Sequence, residues 1–372
     1  MWLIDGMDGT GKSTLANALQ AGLGGNKKSK VRHSPKPKPK DKRKIVGFYL
    51  QGAEDVVKKH LILDRWWPSH LIYEQFFSKR QWIRREEMFI MEGIGLQYDL
   101  AHVHCKAKLG TVVGRIQSDQ DLNLTPQERQ NQIDNAEELL ARYARLYEHL
   151  AADGRRRVEV YNTGETTPEQ MVNALLLASK TDMLHKEKNL RLRQLHSAGW
   201  GSPSASILVI GNRTSGTNAQ SGEDRMLISP RKDMERLAFT TTRGTGNDHH
   251  LIRLLLFAGL QPMDCYFHNA WQAKQPSVPL LTSEIVRQVS PMCILLVGKR
   301  AMKWADQFGK EITQPKSVIA LPDVEELAKM DIVVFSRLAS TLRKTIENET
   351  GLLSRHARTF LEGLYNANYY QS

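Results

Sequence analysis

The chain has 372 residues, room for two domains of ordinary size. It is 41% hydrophobic and 25% charged, which excludes wholesale disorder, and no run approaches the roughly 18 apolar residues of a membrane span. It opens without the basic and apolar stretches of a signal peptide. Its three cysteines, Cys105, Cys265 and Cys293, lack the spacing of a disulfide framework or a zinc ribbon, so a reducing, cytoplasmic setting is expected.

The formal net charge of +12 is concentrated in one place. Residues 26–44 hold eight lysines and two arginines against a single acid, Asp41, so this segment carries +9 and the rest of the chain is nearly neutral. Alternating Pro-Lys at 35–40 forbids helix, and the whole tract is expected to be an extended, solvated loop. Such a run can be merely solubilising. Ten cations on a flexible arm would also bind a phosphate backbone without reading sequence.

In chain order, residues 1–4 read as a short apolar strand, 6–11 as a glycine-rich turn and 12–23 as a helix stopped by Gly24-Gly25. After the basic tract come a helix at 53–60, a strand at 61–63 ending on Asp64, and a mainly helical stretch at 66–96. A strand at 100–105, helices at 106–118 and 126–151, a strand at 158–161 and a helix at 167–184 complete the pattern. This alternation predicts an α/β domain with a parallel sheet over 1–184. Residues 185–205 read as a basic, then Gly/Ser/Pro-rich linker. Over 206–372 the alternation restarts as a second, independent α/β domain, with strands at 207–211, 265–269, 294–298, 318–321 and 332–335. Its helices are expected at 248–259, 282–289, 301–308, 323–329 and 340–365.

Gly6-Met7-Asp8-Gly9-Thr10-Gly11-Lys12-Ser13 satisfies G-x-x-x-x-G-K-[ST] in full, with a strand before it and a helix after. Backbone N–H groups of such a loop wrap phosphates, Lys12 would reach the β and γ oxygens, and the Ser13 hydroxyl would ligate Mg²⁺, so ATP is the expected donor. Asp64 and Arg65 end a strand at the sheet edge where ligands sit. Asp64 could hold magnesium and Arg65 could clamp an acceptor or the transferring phosphoryl group, or the two could form a plain surface ion pair. Trp66-Trp67 could stack a flipped base or belong to the core.

The loop with Thr14, followed by Asp64-Arg65-Trp66, Ser69, Tyr73 and a later Tyr98-Asp99-Leu100, resembles the thymidylate kinase family over roughly residues 1–180. That resemblance implies that Asp8, Lys12, Ser13, Asp64, Arg65 and Arg115 contact phosphate, magnesium and acceptor. The family's Arg-Glu-Pro motif, which grips the free monophosphate, is not found, and Gln117–Leu124 is polar where paired arginines are expected. In the second half, Ile207-Leu208-Val209-Ile210-Gly211-Asn212, Gly244-Thr245-Gly246, Phe267-His268-Asn269 and Ile294-Leu295-Leu296-Val297-Gly298 resemble the uracil-DNA glycosylase superfamily. By that resemblance Asn212 and Asn269 would bind an extruded pyrimidine. Read from the residues alone, both could simply cap strand ends. That family's His-Pro-Ser-like loop is replaced by Phe335-Ser336-Arg337-Leu338-Ala339-Ser340, which implies weakened hydrolysis.

Together these features resemble the bacteriophage kinases that phosphorylate 5-hydroxymethyluracil in DNA during thymidine hypermodification. The implied reaction is γ-phosphoryl transfer from ATP to the 5-hydroxymethyl oxygen of a flipped base, with Asp8 orienting or deprotonating that hydroxyl. DNA is the implied partner. The alternative is a kinase for free thymidylate-like nucleotides fused to an active or vestigial glycosylase.

Overall fold

The computed structural model describes residues 2–25, 29–33, 60–77, 83, 85–97, 100–118, 124–152, 156–181, 199–211, 248–271, 279, 281–309 and 317–350. The chain builds two five-stranded sheets. In the first, β1 (Trp2–Asp5), β2 (Ser29–His33), β3 (His60–Asp64), β4 (Ala101–Lys106) and β5 (Val158–Asn162) lie in the order β2-β3-β1-β4-β5, every neighbouring pair parallel. β1 is central and buried at all four positions, as a strand covered on both faces must be. The order reverses beside β1, so the turn leaving β1 and the end of β3 share one crevice at the carboxyl edge.

Helices cover this sheet. α1 (Lys12–Gly22) lays Leu15, Ala16 and Leu19 on it. α2 (Trp67–Phe77) follows β3, and α3 (Arg85–Gln97) precedes β4. Beyond β4, α4 (Leu109–Ser118) leads to α5 (Pro126–Asp134), which starts with a capping box between Thr125 and Glu128 and a proline in its first turn. α6 (Ala136–Ala151) buries Leu139, Tyr143, Leu146, Tyr147 and Leu150, the i, i+4, i+7 stripe of an amphipathic helix. α7 (Pro168–Thr181) closes the unit.

The second sheet comprises β6 (Gly199–Gly201), β7 (Ile207–Gly211), β8 (Cys265–Asn269), β9 (Cys293–Val297) and β10 (Ser317–Leu321), ordered β10-β9-β7-β8-β6. β6 is antiparallel to β8 and the other pairs are parallel. Its helices are α8 (Asp248–Phe257), α9 (Ser283–Val289), α10 (Lys299–Phe308), α11 (Val324–Lys329) and α12 (Ile332–Thr350). Among the described residues no helix is long and apolar enough to cross a membrane.

The structure departs from the sequence reading in four places. Ser29–His33, expected to be part of a solvated loop, is the edge strand of the first sheet. The Pro-Lys alternation starts only at Pro35, which leaves every N–H of 29–33 free to pair with β3, and Val31 packs on the core. Gly199–Gly201, expected in the linker, is a buried strand. Residues 332–335, expected as a strand, are the first turn of α12. Asp331 caps that turn through Val333 N–H at 2.8 Å, and Ile332, Val333 and Val334 stay 62, 54 and 50% exposed instead of entering a sheet. Residues 335–340 therefore belong to a helix. The helix expected at 53–60 lies outside the described residues, apart from His60 in β3.

The fourth departure concerns independence. The two sheets share one hydrophobic core, in which Leu3, Leu63, Trp66 and Trp67 join Trp200, Val209, Phe267 and Leu295 through Met88, Phe89 and Met91 of α3. α3 is enclosed along most of its length, and its Glu86, Glu92 and Gln97 are buried together with its apolar residues. Gly93 lets it approach so closely that an added Cβ would lie 2.7 Å from the Trp200 ring, which itself stacks on Phe267 at 4.1 Å between centroids. Buried Arg156 crosses the seam, its Nε 2.8 Å from Glu92 and its Nη1 3.4 Å from Gln261. Arg253 of α8 adds a second bridge to Glu86 at 2.9 Å.

Candidate active site

The glycine-rich loop leaves the buried end of β1 and turns into α1. Gly6 has φ +145° and no room for a side chain, since a Cβ would lie 2.3 Å from the Cys105 carbonyl oxygen. Gly11, at φ +87°, is the left-handed residue that starts α1. Met7 plugs the loop into the core beside Val112, Ile116 and Tyr143, and the Thr10 hydroxyl donates to the Met7 carbonyl at 2.7 Å. A rigid loop with N–H groups at a helix start is a phosphate cradle by construction.

Lys12 is buried. Its Nζ donates to the Met7 carbonyl at 2.7 Å and lies 3.5 Å from Asp8 Oδ1. Burial lowers its pKa, while the charges of Asp64 and Asp5 act in the opposite direction. An incoming triphosphate would offer this ammonium a stronger partner than a loop carbonyl.

The exposed Ser13 hydroxyl donates to Asp64 Oδ2 at 3.2 Å, bringing the loop and the end of β3 together. Asp64 Oδ1 is buried and has no hydrogen-bond partner among the described residues. One hydroxyl and one carboxylate with an unused oxygen fit magnesium, a hard cation that keeps several waters and takes its remaining ligands from phosphate. No group of three or more His, Cys, Asp or Glu among the described residues could hold a metal alone, so this pair is the available donor set there.

Arg65, in left-handed conformation at φ +69°, anchors its N–H on the Ile4 carbonyl at 3.0 Å. Its guanidinium pairs with Asp8 Oδ1 and lies over the Tyr73 ring at 5.7 Å. The Tyr73 hydroxyl contacts Asp8 as well, donating to Oδ2 at 3.4 Å and accepting from the Asp8 N–H at 3.3 Å. Asp8, Lys12, Arg65 and Tyr73 thus form one polar cluster beside the loop. Arg115 lies on the opposite shoulder, exposed, with Nη1 donating to the Gly9 carbonyl at 2.9 Å and to Thr163 Oγ1 at 3.3 Å. Thr14 is exposed on the first turn of α1.

Sequence reasoning missed two groups. His33, the last residue of β2, places Nδ1 2.7 Å from Asp64 Oδ2, and this bond raises its pKa. The parallel register sets His33 against Asp64, but nothing local in Arg32-His33-Ser34 announces it. Asp5 is the other, fully buried beneath the loop; its position between an apolar strand and Gly6 was the only signal.

In the second unit, Asn269 ends β8 opposite Gly211 of β7. Its side chain is buried and its Nδ2 has no hydrogen-bond partner among the described residues, at the carboxyl edge of a parallel sheet. Burial lowers the pKa of neighbouring His268 to about 4, and its Nδ1 lies 2.7 Å from the Asn269 carbonyl. Asn212 and Gly244-Thr245-Gly246 lie outside the described residues. Trp66 and Trp67 are core residues at 1 and 2% exposure, so the expectation that they might stack a base is not met. The basic tract beyond His33 and Tyr98-Asp99 also lie outside the described residues.

Comparison with solved structures gives two partial likenesses. The YorR protein of Bacillus subtilis, solved with phosphorylated GDP, is 15% identical with a TM-score of 0.38, over 50% of this chain and 98% of that one. Deoxyadenosine kinase from M. mycoides, solved with dCTP, is 16% identical with a TM-score of 0.30, over 49% of this chain and 100% of that one. Scores of this size carry no weight beside the site's own geometry. No protein-family model matches the chain, and no curated protein does.

Proposed function

We propose that this protein is an ATP-dependent phosphotransferase acting on the 5-hydroxymethyl group of 5-hydroxymethyluracil in DNA. The observation that carries the reading is the arrangement at the carboxyl edge of the first sheet. There the phosphate loop, the Ser13–Asp64 pair and the Asp8–Arg65–Tyr73 cluster meet the end of β2, from which the chain continues directly into the Pro-Lys tract.

Magnesium bound at Ser13 and Asp64 would neutralise charge on the triphosphate. Lys12 and the loop amides would bind and orient the β and γ phosphates. Arg65, adjustable because its ion pair with Asp8 is partly exposed, would offset charge at the acceptor side, with Arg115 fixing the far shoulder of the loop. Asp8 would accept the proton of the attacking hydroxyl, released from Arg65 as that side chain turns to phosphate. Asn269, with an unpaired amide, would read the edge of an extruded pyrimidine, and the lysines of the tract would hold the backbone. A near-neutral body with +9 concentrated at residues 26–44 suits a polyanion better than a single nucleotide.

The test is incubation with γ-labelled ATP and duplex DNA containing 5-hydroxymethyluracil or thymine, in parallel with the free monophosphates. Label is expected only in the hydroxymethylated duplex. Label confined to free nucleotides would establish the nucleotide-kinase alternative.

A further inference from the structure

Asp5 is the last residue of β1, fully buried, and no catalytic contact described above uses it. Its carboxylate nevertheless gathers donors from three elements. Gly6 N–H, the first residue of the phosphate loop, donates to Oδ1 at 2.9 Å. The Ser69 hydroxyl of α2 donates to the same oxygen, and the Tyr147 hydroxyl of α6 donates to Oδ2 at 3.1 Å. Ser69 Oγ is in turn 2.7 Å from the Tyr143 hydroxyl, and the Tyr143 ring packs edge-on against Tyr73, whose hydroxyl touches Asp8. A continuous chain of contacts therefore runs from beneath the loop to the acceptor cluster.

We propose that Asp5 is a positioning residue, one that locks the phosphate loop to α2 and α6 through Gly6, Ser69 and Tyr147 and so sets both the donor cradle and the placement of Tyr73 and Asp8. This rests on the phosphotransferase reading for its acceptor half. Its donor half, the shape of the triphosphate cradle, stands without it.

The chemistry of the site separates this role from ordinary core packing. An isolated carboxylate in an apolar setting costs stability, and a neutral amide of the same shape would be cheaper to bury. Burial raises the Asp5 pKa to about 6, only partly offset by Ser69, Gly6, Lys12 and Arg65. The titratable groups facing it are Lys12 from α1, Arg65 after β3, Tyr73 from α2, Tyr143 and Tyr147 from α6, and His104 and Cys105 from β4. Burial pushes the tyrosine and Cys105 pKa values up and that of His104 down to about 4, so all five are neutral while Asp5 titrates. Protonated at Oδ2, Asp5 still accepts from Gly6 and Ser69 at Oδ1, but it no longer accepts from Tyr147 and withdraws a charge from Lys12. The lock loosens as pH falls through about 6.

The experiment measures binding of a non-hydrolysable ATP analogue from pH 5 to 8, with the melting temperature, for the intact protein and its Asp5→Asn, Ser69→Ala and Tyr147→Phe variants. Wild type should lose affinity about tenfold between pH 7 and 5. Asp5→Asn should bind weakly throughout, without that pH dependence, yet melt no lower than wild type at neutral pH. Ser69→Ala and Tyr147→Phe should weaken binding and keep a pH dependence, and they carry the test if Asp5→Asn does not fold. An Asp5→Asn variant, or a Ser69→Ala and Tyr147→Phe pair, with wild-type affinity at every pH would overturn the proposal. Absence of phosphoryl transfer to any acceptor would count against the functional reading alone, because analogue binding needs no acceptor.

Discussion

Ser13 and Asp64 lie 51 residues apart in sequence and share a 3.2 Å hydrogen bond, with the second carboxylate oxygen of Asp64 buried and without a partner among the described residues. The phosphate loop and the end of β3 are thereby one unit before any ligand arrives. Asp64→Asn keeps the shape and removes the charge. It should weaken the apparent magnesium affinity in the transfer assay by about 10- to 100-fold with little change in ATP-analogue binding in the absence of metal. Titration of initial rate against magnesium measures this.

Lys12 is fixed by the Met7 carbonyl at 2.7 Å and by Asp8. Lys12→Ala removes the buried cation of the phosphate loop. Phosphoryl transfer should fall by at least about 100-fold, with the far-ultraviolet circular dichroism spectrum unchanged.

The seam between the two sheets predicts a single unfolding transition. Arg156 is buried between Glu92 and Gln261, so Arg156→Ala leaves the Glu92 carboxylate in the core with the His102 ring, its Nε2 3.7 Å away, in place of a guanidinium. Such a loss costs about 3–5 kcal/mol, read as a shift of one denaturant midpoint. Two separate transitions in the wild-type protein would show instead that the sheets melt independently.

Stability should also depend on Asp5. Its pKa is raised from 3.8 to about 6 in the fold, so between those values the folded state binds more protons than the unfolded chain. The associated stability is fully present below about pH 4 and lost as pH rises through about 6, a swing on the order of 3 kcal/mol. Asp5→Asn should flatten this part of the pH–stability curve, as measured by chemical denaturation at stepped pH.

Much of this was legible in the residues. The loop motif and its strand–helix flanks are local, as is the Asp64-Arg65 pair ending an apolar run, and the structure brings both to one edge. What escaped was set by distance or by competition. The Asp5–Tyr147 bond spans 142 residues, and no periodicity encodes it. Val31 lies among lysines, so its pairing with Ile62 was hidden by the charge around it. Ile332-Val333-Val334 has strand composition, and only the Asp331 cap and an exposed setting make it helical. The resemblance-based pyrimidine site has one described member, Asn269, whose burial and unpaired amide no sequence pattern reveals.

The acceptor separates a DNA-base kinase from a nucleotide kinase. DNA containing 5-hydroxymethyluracil, treated with the protein, ATP and magnesium, should yield 5-phosphomethyl-deoxyuridine in its nuclease digest, identified by mass spectrometry. The yield should fall steeply with added salt and when the lysines at 36, 38, 40 and 42 are replaced by glutamine. An unchanged digest, with the same enzyme preparation phosphorylating free nucleoside monophosphates, would contradict the DNA-base kinase reading.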